Sequence, residues 1–420
     1  MDHTRHAVGI LVGGGPAPGI NSVIGAATIR SILGGAPVVG LLDGFKWIME
    51  GDSGKIKPLS IEEVSRIHFH GGSYLGISRA NPTKHATHLE NTLAALLKLN
   101  LSGLITIGGD DTAFSALKLE QMAGGRLHVV HVPKTIDNDL DLPHGIPTFG
   151  FQTARHIGVD LVKNLMVDAQ TTSRWYFVVT MGRKAGHLAL GIGKAAGATL
   201  TLIPEEFSER PVRLTKLVDI LIGAVLKRLR MGRPDGVAIL AEGLVESLDP
   251  QDLSGLADVE RDQHGNLRLA EVNLGDLLKH EVEKQLKEVG IKTTIVAKNI
   301  GYELRCADPI PYDMEYTRDL GYCAAQFLLE GGNAAMVSIQ NGRLTPIPFE
   351  KILDPATGRT RIRMVDVRSE SYHIARRYMI RLSTEDMDNA DEVAQYAEML
   401  KMSPEACRKR FGYLVENRNN

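Results

Sequence analysis

The 420 residues are 43% hydrophobic and 23% charged, with 48 Lys and Arg against 50 Asp and Glu. That length suits two or three domains around a large buried core, and the composition excludes disorder and collagen-like repetition. A formal net charge of -2 gives no general attraction to nucleic acid or an anionic membrane, so basic residues that matter must be gathered around an anionic ligand.

Short aliphatic runs alternate with helical patterns through the first half, the signature of a parallel sheet covered by helices. Ala7–Val12 reads as a buried strand, followed by a Gly/Pro turn and a helix from about Ile20 to Leu33. Val38–Leu42 is the next strand. Leu89, Leu93, Leu96 and Leu97 fall on one face of a helix. Leu104–Ile107 and Leu127–Val132 are strands, with a helix beginning near Thr112 between them. A second set follows: a helix from Phe149 to about Ala169, strand Trp175–Thr180, and strand Val237–Leu240. The helix before that last strand carries Leu214, Leu217, Val218, Leu221, Val225 and Leu229 as one stripe. Ser247–Glu271 is polar and reads as an exposed insertion or hairpin, and the residues after Gly358 are charged and mostly helical in pattern.

No run approaches the roughly 18 apolar residues of a membrane span, and the N-terminal run lacks the pattern of a secretory signal. Cys306, Cys323 and Cys407 are too few and scattered for a disulfide framework or zinc site, and read as free thiols of a cytoplasmic protein.

The unusual residues cluster just after predicted strands, where open α/β sheets place their ligand crevice. Gly13-Gly14-Gly15-Pro16-Ala17-Pro18-Gly19-Ile20-Asn21 joins the first strand to the first helix. Its glycines allow close approach of phosphate to backbone N–H groups, although a tight turn without ligand is an equally simple reading. Gly108-Gly109-Asp110-Asp111 sets two carboxylates side by side, suiting either Mg²⁺ bound with phosphate oxygens or a helix N-cap. Lys134-Thr135-Ile136-Asp137-Asn138-Asp139 is more telling, since one cation, one hydroxyl and two carboxylates can hold a metal–phosphate group and leave one acid free as base. Arg79, Arg174, Arg183 and Arg305 can clamp phosphate through paired guanidinium hydrogen bonds.

Together with Met181-Gly182-Arg183, Pro204-Glu205-Glu206 and Gly301-Tyr302-x-x-Arg305, these motifs resemble, in order and spacing, the phosphofructokinase family over roughly Val8 to Asp313. Within it, Asp111 and Lys134 resemble the pyrophosphate-dependent branch, whose ATP-dependent relatives generally carry glycines there. The resemblance implies two Rossmann-like three-layer α/β/α domains with the active site in the cleft between them, plus a C-terminal helical extension. The donor domain would span 1–150 with about 306–355, the sugar-phosphate domain 151–305, and the extension 356–420. It further implies that Gly14 contacts the phosphoryl donor, Asp110 binds Mg²⁺ and Asp137 is the general base. Thr135, Met181, Gly182, Arg183, Glu242, Tyr302 and Arg305 would hold fructose 6-phosphate, and Arg79 would steady the transferring group. Arg174 would be supplied to a neighbouring subunit of a homodimer or homotetramer. A second intersubunit arginine is absent, and only Lys298 stands near its place.

Physics gives Asp111 a reason. Placed where a nucleotide's α-phosphate would lie, it repels a unit charge about 4 Å away by about 4 kcal/mol at an effective dielectric of about 20, several hundred-fold in binding. Pyrophosphate stops short of that position, and Lys134 offers its moving phosphoryl group a cation. Three other readings are open to test. An ATP-dependent 6-phosphofructokinase, or a kinase of a related sugar phosphate such as sedoheptulose 7-phosphate, differs in donor or acceptor. An NAD-dependent dehydrogenase would use the Gly-rich turn and Asp43, but Pro18 and the Asp-rich loops oppose it. A non-catalytic regulatory subunit would be marked by loss of Asp110, Asp137 or Arg183, and all three are present.

Overall fold

The computed structural model describes residues 7–143, 145–254 and 272–415, so most of the polar stretch read as an insertion (255–271) lies outside the described residues. In chain order the main strands are β1 (Ala7–Val12), β2 (Val38–Leu41), β3 (Ile56–Leu59), β4 (Leu101–Gly108), β5 (His128–Pro133), β6 (Trp175–Thr180), β7 (Leu200–Leu202), β8 (Gly236–Ala241), β9 (Ile295–Ile300) and β10 (Ala335–Met336). The chain divides into two compact α/β units, one of Met1–Ile157 with Tyr302–Arg363 and one of Gly158–Gly301 with Met364–Asn420. Tyr302 and Arg305 therefore group with the first unit rather than with the domain the sequence reading gave them.

The first unit is built on a sheet ordered Ile347–Pro348, β10, β5, β4, β1, β2, β3. Its centre is parallel, with β1 between β4 and β2. β3 and Ile347–Pro348 close the two edges antiparallel. Strands buried on both faces must be apolar throughout, which is why β1 reads as an unbroken run from Val8 to Val12. Chain order reverses between β1 and β4, since β2 and β3 lie on one side of β1 while β4 and β5 lie on the other. Such a switch point opens a crevice at the carboxyl ends of the strands.

The second unit carries a parallel sheet ordered β7, β8, β6, β9. The helix Leu214–Arg230 buries Leu214, Leu217, Val218, Leu221 and Val225 against it, as the stripe in the sequence requires. The segment after Met364 is no loose appendage. Leu382, Met387, Val393, Tyr396, Cys407, Phe411 and Val415 are buried in the same core as Trp175, Leu240 and Leu278. Its amphipathic helices are legible in sequence, but what they cover is a matter of tertiary packing.

In the first unit one buried carboxylate caps a long helix. Asp313, fully buried at the start of helix Pro311–Leu329, accepts from Gly150 N at 3.0 Å, Thr153 N at 2.7 Å and Thr153 Oγ1 at 2.6 Å, at the N-terminus of helix Phe151–Thr172. Removing it strands three donors. Asp313→Ala should cost about 3 kcal/mol and lower the melting midpoint by roughly 6–12 °C in a thermal scan, while Asp313→Asn, which keeps an acceptor, should lose less.

Candidate active site

Three of the four sequence clusters meet at the switch point of the first unit. β1 delivers Gly13–Gly15, β4 delivers Gly108–Asp111, and β5 delivers Lys134–Asp139. Backbone hydrogen bonds lock the turns together: Gly13 N donates to Ile107 O at 2.9 Å, Lys134 N to Gly108 O at 2.8 Å, and Gly14 N to Ser78 O at 2.9 Å. Ser78 precedes Arg79, so the arginine is brought to the same edge, exposed to solvent.

Lys134 is the hub. Its side chain is buried and its Nζ donates to the Gly15 carbonyl oxygen. Gly14 shapes the turn beside it. Its φ of +87° is one that L side chains rarely adopt, and a Cβ there would stand 3.4 Å from the Lys134 ammonium. Desolvation pushes the lysine down to about 8, against the pull of the Asp137 and Asp110 carboxylates, while Arg79 and Arg305 lower it further. One electrostatic neighbourhood thus contains Lys134, Asp137, Asp110, Arg79 and Arg305. Arg305 also lies beside the glycine turn, with its Nη1 3.8 Å from a Cβ built on Gly15.

Asp110 and Asp111 open helix Asp110–Ala123, where the positive end of the helix dipole favours negative charge. Asp110 Oδ1 accepts from Asp111 N at 2.9 Å, and the Asp111 side chain is exposed. The Asp137 amide donates to Thr135 Oγ1 at 3.0 Å, shaping the turn that presents Asp137.

Two supports were invisible in sequence. His131 on β5 is fully buried, and desolvation holds it down at about 3, hence neutral. Its Nε2 lies 3.1 Å from Gly108 O and its Nδ1 2.8 Å from Thr106 Oγ1. A carbonyl can only accept, so Nε2 carries the hydrogen and the ring props the Gly108 carbonyl from below. Arg363 is the second support, and its signal in sequence was nil.

The fourth cluster belongs to the second unit. Met181, Gly182 and Arg183 follow β6, Glu242 follows β8, and Gly301 follows β9, three adjacent strand ends. Glu242 N donates to Thr180 O at 3.0 Å, and Gly243 N to Gly182 O at 3.2 Å. A Cβ on Gly243 would sit 2.4 Å from Arg183 O, so only glycine lets the two loops approach this closely. The Glu205 carboxylate ties the loop down, accepting from Gly186 N at 2.8 Å and from Val365 N at 3.0 Å. Arg174 is elsewhere. It stands at the amino end of β6, paired with Asp168 at 3.8 Å, about 20 Å of strand from Met181. Lys298 is exposed on the edge strand β9. The Tyr302 ring is largely exposed, and the Arg305 guanidinium lies 4.4 Å from its centroid.

A family model described as phosphofructokinase matches residues 7–328, which includes every cluster above. The chain belongs to the phosphofructokinase family. It is 54% identical over 414 residues to a pyrophosphate–fructose 6-phosphate 1-phosphotransferase of Thermotoga maritima, covering 97% of this chain and 99% of that protein. A protein of the same name from Naegleria fowleri is 49% identical, covering 97% and 96%. A solved pyrophosphate-dependent phosphofructokinase from Nitrosospira multiformis shares the fold, with a TM-score of 0.68 at 16% identity over 95% of this chain and 92% of that one.

The carboxylates of this phosphofructokinase-family site suit a hard divalent ion. Among the described residues no group of three or more His, Cys, Asp or Glu could cage a metal by itself. Mg²⁺ is commonly held by one or two carboxylates plus phosphate oxygens, and Asp110 offers the carboxylate beside a cation that attracts phosphate. No helix among the described residues is long and apolar enough to cross a membrane.

Proposed function

We propose that this protein transfers a phosphoryl group from inorganic pyrophosphate to the 1-hydroxyl of fructose 6-phosphate, reversibly, giving fructose 1,6-bisphosphate and phosphate. The observation that carries the reading is the buried Lys134 ammonium, set between the glycine turn and two carboxylates where a nucleotide-independent donor would place its phosphates. The names of the Thermotoga and Naegleria relatives support it at 54% and 49% identity.

Phosphoryl transfer asks the protein chiefly for positioning and for charge on the equatorial oxygens. Gly14 and its neighbours would cradle the pyrophosphate, with Lys134 and Arg79 on the moving group. Asp110 would hold Mg²⁺, which when bound neutralises phosphate oxygens. Asp111, one residue on and exposed, would crowd the place where a nucleotide continues. Asp137 would take the proton from the attacking hydroxyl. Thr135, Met181, Gly182, Arg183, Glu242, Tyr302 and Arg305 would hold the sugar phosphate. Arg174, far from its own Met181 loop, would serve a second copy in a homodimer or homotetramer. A pyrophosphate bond and the product ester are of similar energy, hence the reversibility.

A panel of donors with fructose 6-phosphate and Mg²⁺ tests the reading. Pyrophosphate should exceed ATP in kcat/KM by several hundred-fold, and Asp111→Gly should narrow that gap by about a hundred-fold. Faster turnover with ATP would overturn it. Asp137→Ala should lower kcat by about 10²–10⁴-fold while calorimetry shows fructose 6-phosphate binding within about twofold; near-normal kcat removes Asp137 as base.

The Lys134 value adds a pH dependence. A lysine lowered to about 8 is a cation below that pH and neutral above it, so kcat/KM for pyrophosphate should fall as pH rises through about 8. Lys134→Arg keeps its charge far higher and should lack that limb in the same pH–rate profile, whatever its absolute rate.

A further inference from the structure

Arg363, the last residue of the first unit, commits its guanidinium to one loop. Nε donates to Asn138 O at 3.1 Å, Nη1 to Ile146 O at 2.7 Å and more weakly to Leu142 O at 3.4 Å, and Nη2 to Asn138 Oδ1. Its own backbone N donates to Asp139 O at 2.8 Å, and the preceding Ile362 pairs antiparallel with Leu140. All these acceptors lie between Asn138 and Ile146, in the loop that leaves β5 through Asp137. The segment ending at Arg363 crosses that loop as a strap, and the guanidinium is its rivet.

The loop needs one. Asn138 holds a φ of +57°, in the left-handed region that few residues other than glycine occupy. Such a conformation persists where its surroundings over-determine it. Here Thr148 N donates to Asn138 Oδ1 at 3.0 Å and Thr148 Oγ1 to Thr135 O at 2.7 Å, while Arg363 takes both oxygens of Asn138. The left-handed turn sets the direction in which the preceding residue, Asp137, leaves the chain. Arg363 is half-buried at a cost in desolvation that pushes its guanidinium down, against the smaller opposing pull of the Asp141 and Asp139 carboxylates. A planar fork of five donors can serve acceptors on Asn138, Leu142 and Ile146 at once, and a lysine ammonium cannot.

We infer that Arg363 is a positioning residue for Asp137: by clamping the left-handed turn at Asn138 it aims the proton-accepting carboxylate. This rests on the reading of Asp137 as base. The sequence motif ends at Asp139, and the residue that holds it lies 225 positions from Asn138.

The test uses the full chain with pyrophosphate, fructose 6-phosphate and Mg²⁺. Arg363→Ala should lower kcat by about 30-fold with both KM values within about threefold, because a misaimed base slows the chemical step without loosening either substrate. Arg363→Lys should recover little of the loss. Guanidinium ion at about 10 mM should restore part of kcat to Arg363→Ala and none to Asp137→Ala, since it can only refill the vacated clamp. Asn138→Gly, which adopts the same φ but offers no side-chain anchor, should also lower kcat in a well-folded protein, and it carries the test if Arg363→Ala fails to fold. A folded Arg363→Ala with kcat within twofold of the parent, or losses that follow the melting midpoint and resist guanidinium, would overturn the clamp. Undiminished kcat in Asp137→Ala would instead sink the base assignment, and the clamp with it. A dead Asp137→Ala beside a fully active Arg363→Ala sinks the clamp alone.

Discussion

The Lys134 ammonium is buried against the Gly15 carbonyl, and the surrounding turns are arranged around the cost of keeping that charge out of water. Desolvation is the largest influence on it and pushes its pKa down. Asp137 and Asp110 oppose this, and the balance leaves the lysine near 8, cationic at neutral pH by a modest margin. Gly14 turns the chain beside it with a left-handed φ, and the Gly108 carbonyl takes the lysine's backbone N–H. His131 steadies that same carbonyl from inside the sheet and stays neutral, so it adds no competing cation to the site. Lys134, Asp110 and Asp137 therefore form one electrostatic unit, in which a change to either carboxylate alters the charge state of the lysine.

Much of this was readable from the chain. β1, β6 and helix Ile20–Leu33 match the sequence reading to the residue, because strands buried on both faces are continuous apolar runs cut by Gly and Pro. The clustering of Lys134, Asp137 and Asp110 is legible because they sit in short contiguous motifs at strand ends. β7 has three residues and β10 has two, too few to register a period. β9 exposes Lys298 and Asn299 along one edge, which breaks its apolar run. Arg363 and His131 had no motif to announce them, since each works through carbonyls that the fold alone brings near. Helix Asp110–Ala123 begins two residues before the sequence suggested, because acids at a helix start also suit a strand-end turn.

The second unit shows a different economy of residues. Pro204-Glu205-Glu206, part of the family resemblance, is used structurally. Glu205 joins the Gly186 end of the Met181 loop to Val365, and Glu206 pairs with Arg381 at 3.0 Å and accepts from Tyr372 Oη at 2.8 Å. The C-terminal segment thus holds the strand-end loop of its own unit while its apolar side chains complete the core.

The chain enters the first unit, leaves it after Ile157 and returns only at Tyr302. During synthesis β5 therefore leaves the ribosome with its outer edge bare, because its partner β10 and the closing strand Ile347–Pro348 have yet to be made. The helix Pro311–Leu329, whose Asp313 caps Phe151–Thr172, arrives equally late. A nascent chain stalled before this return would present an unpaired, strongly apolar parallel edge, the kind of surface on which copies stick to one another. Vectorial production thus leaves that edge of β5 unpaired from Ile157 until Met336 is made.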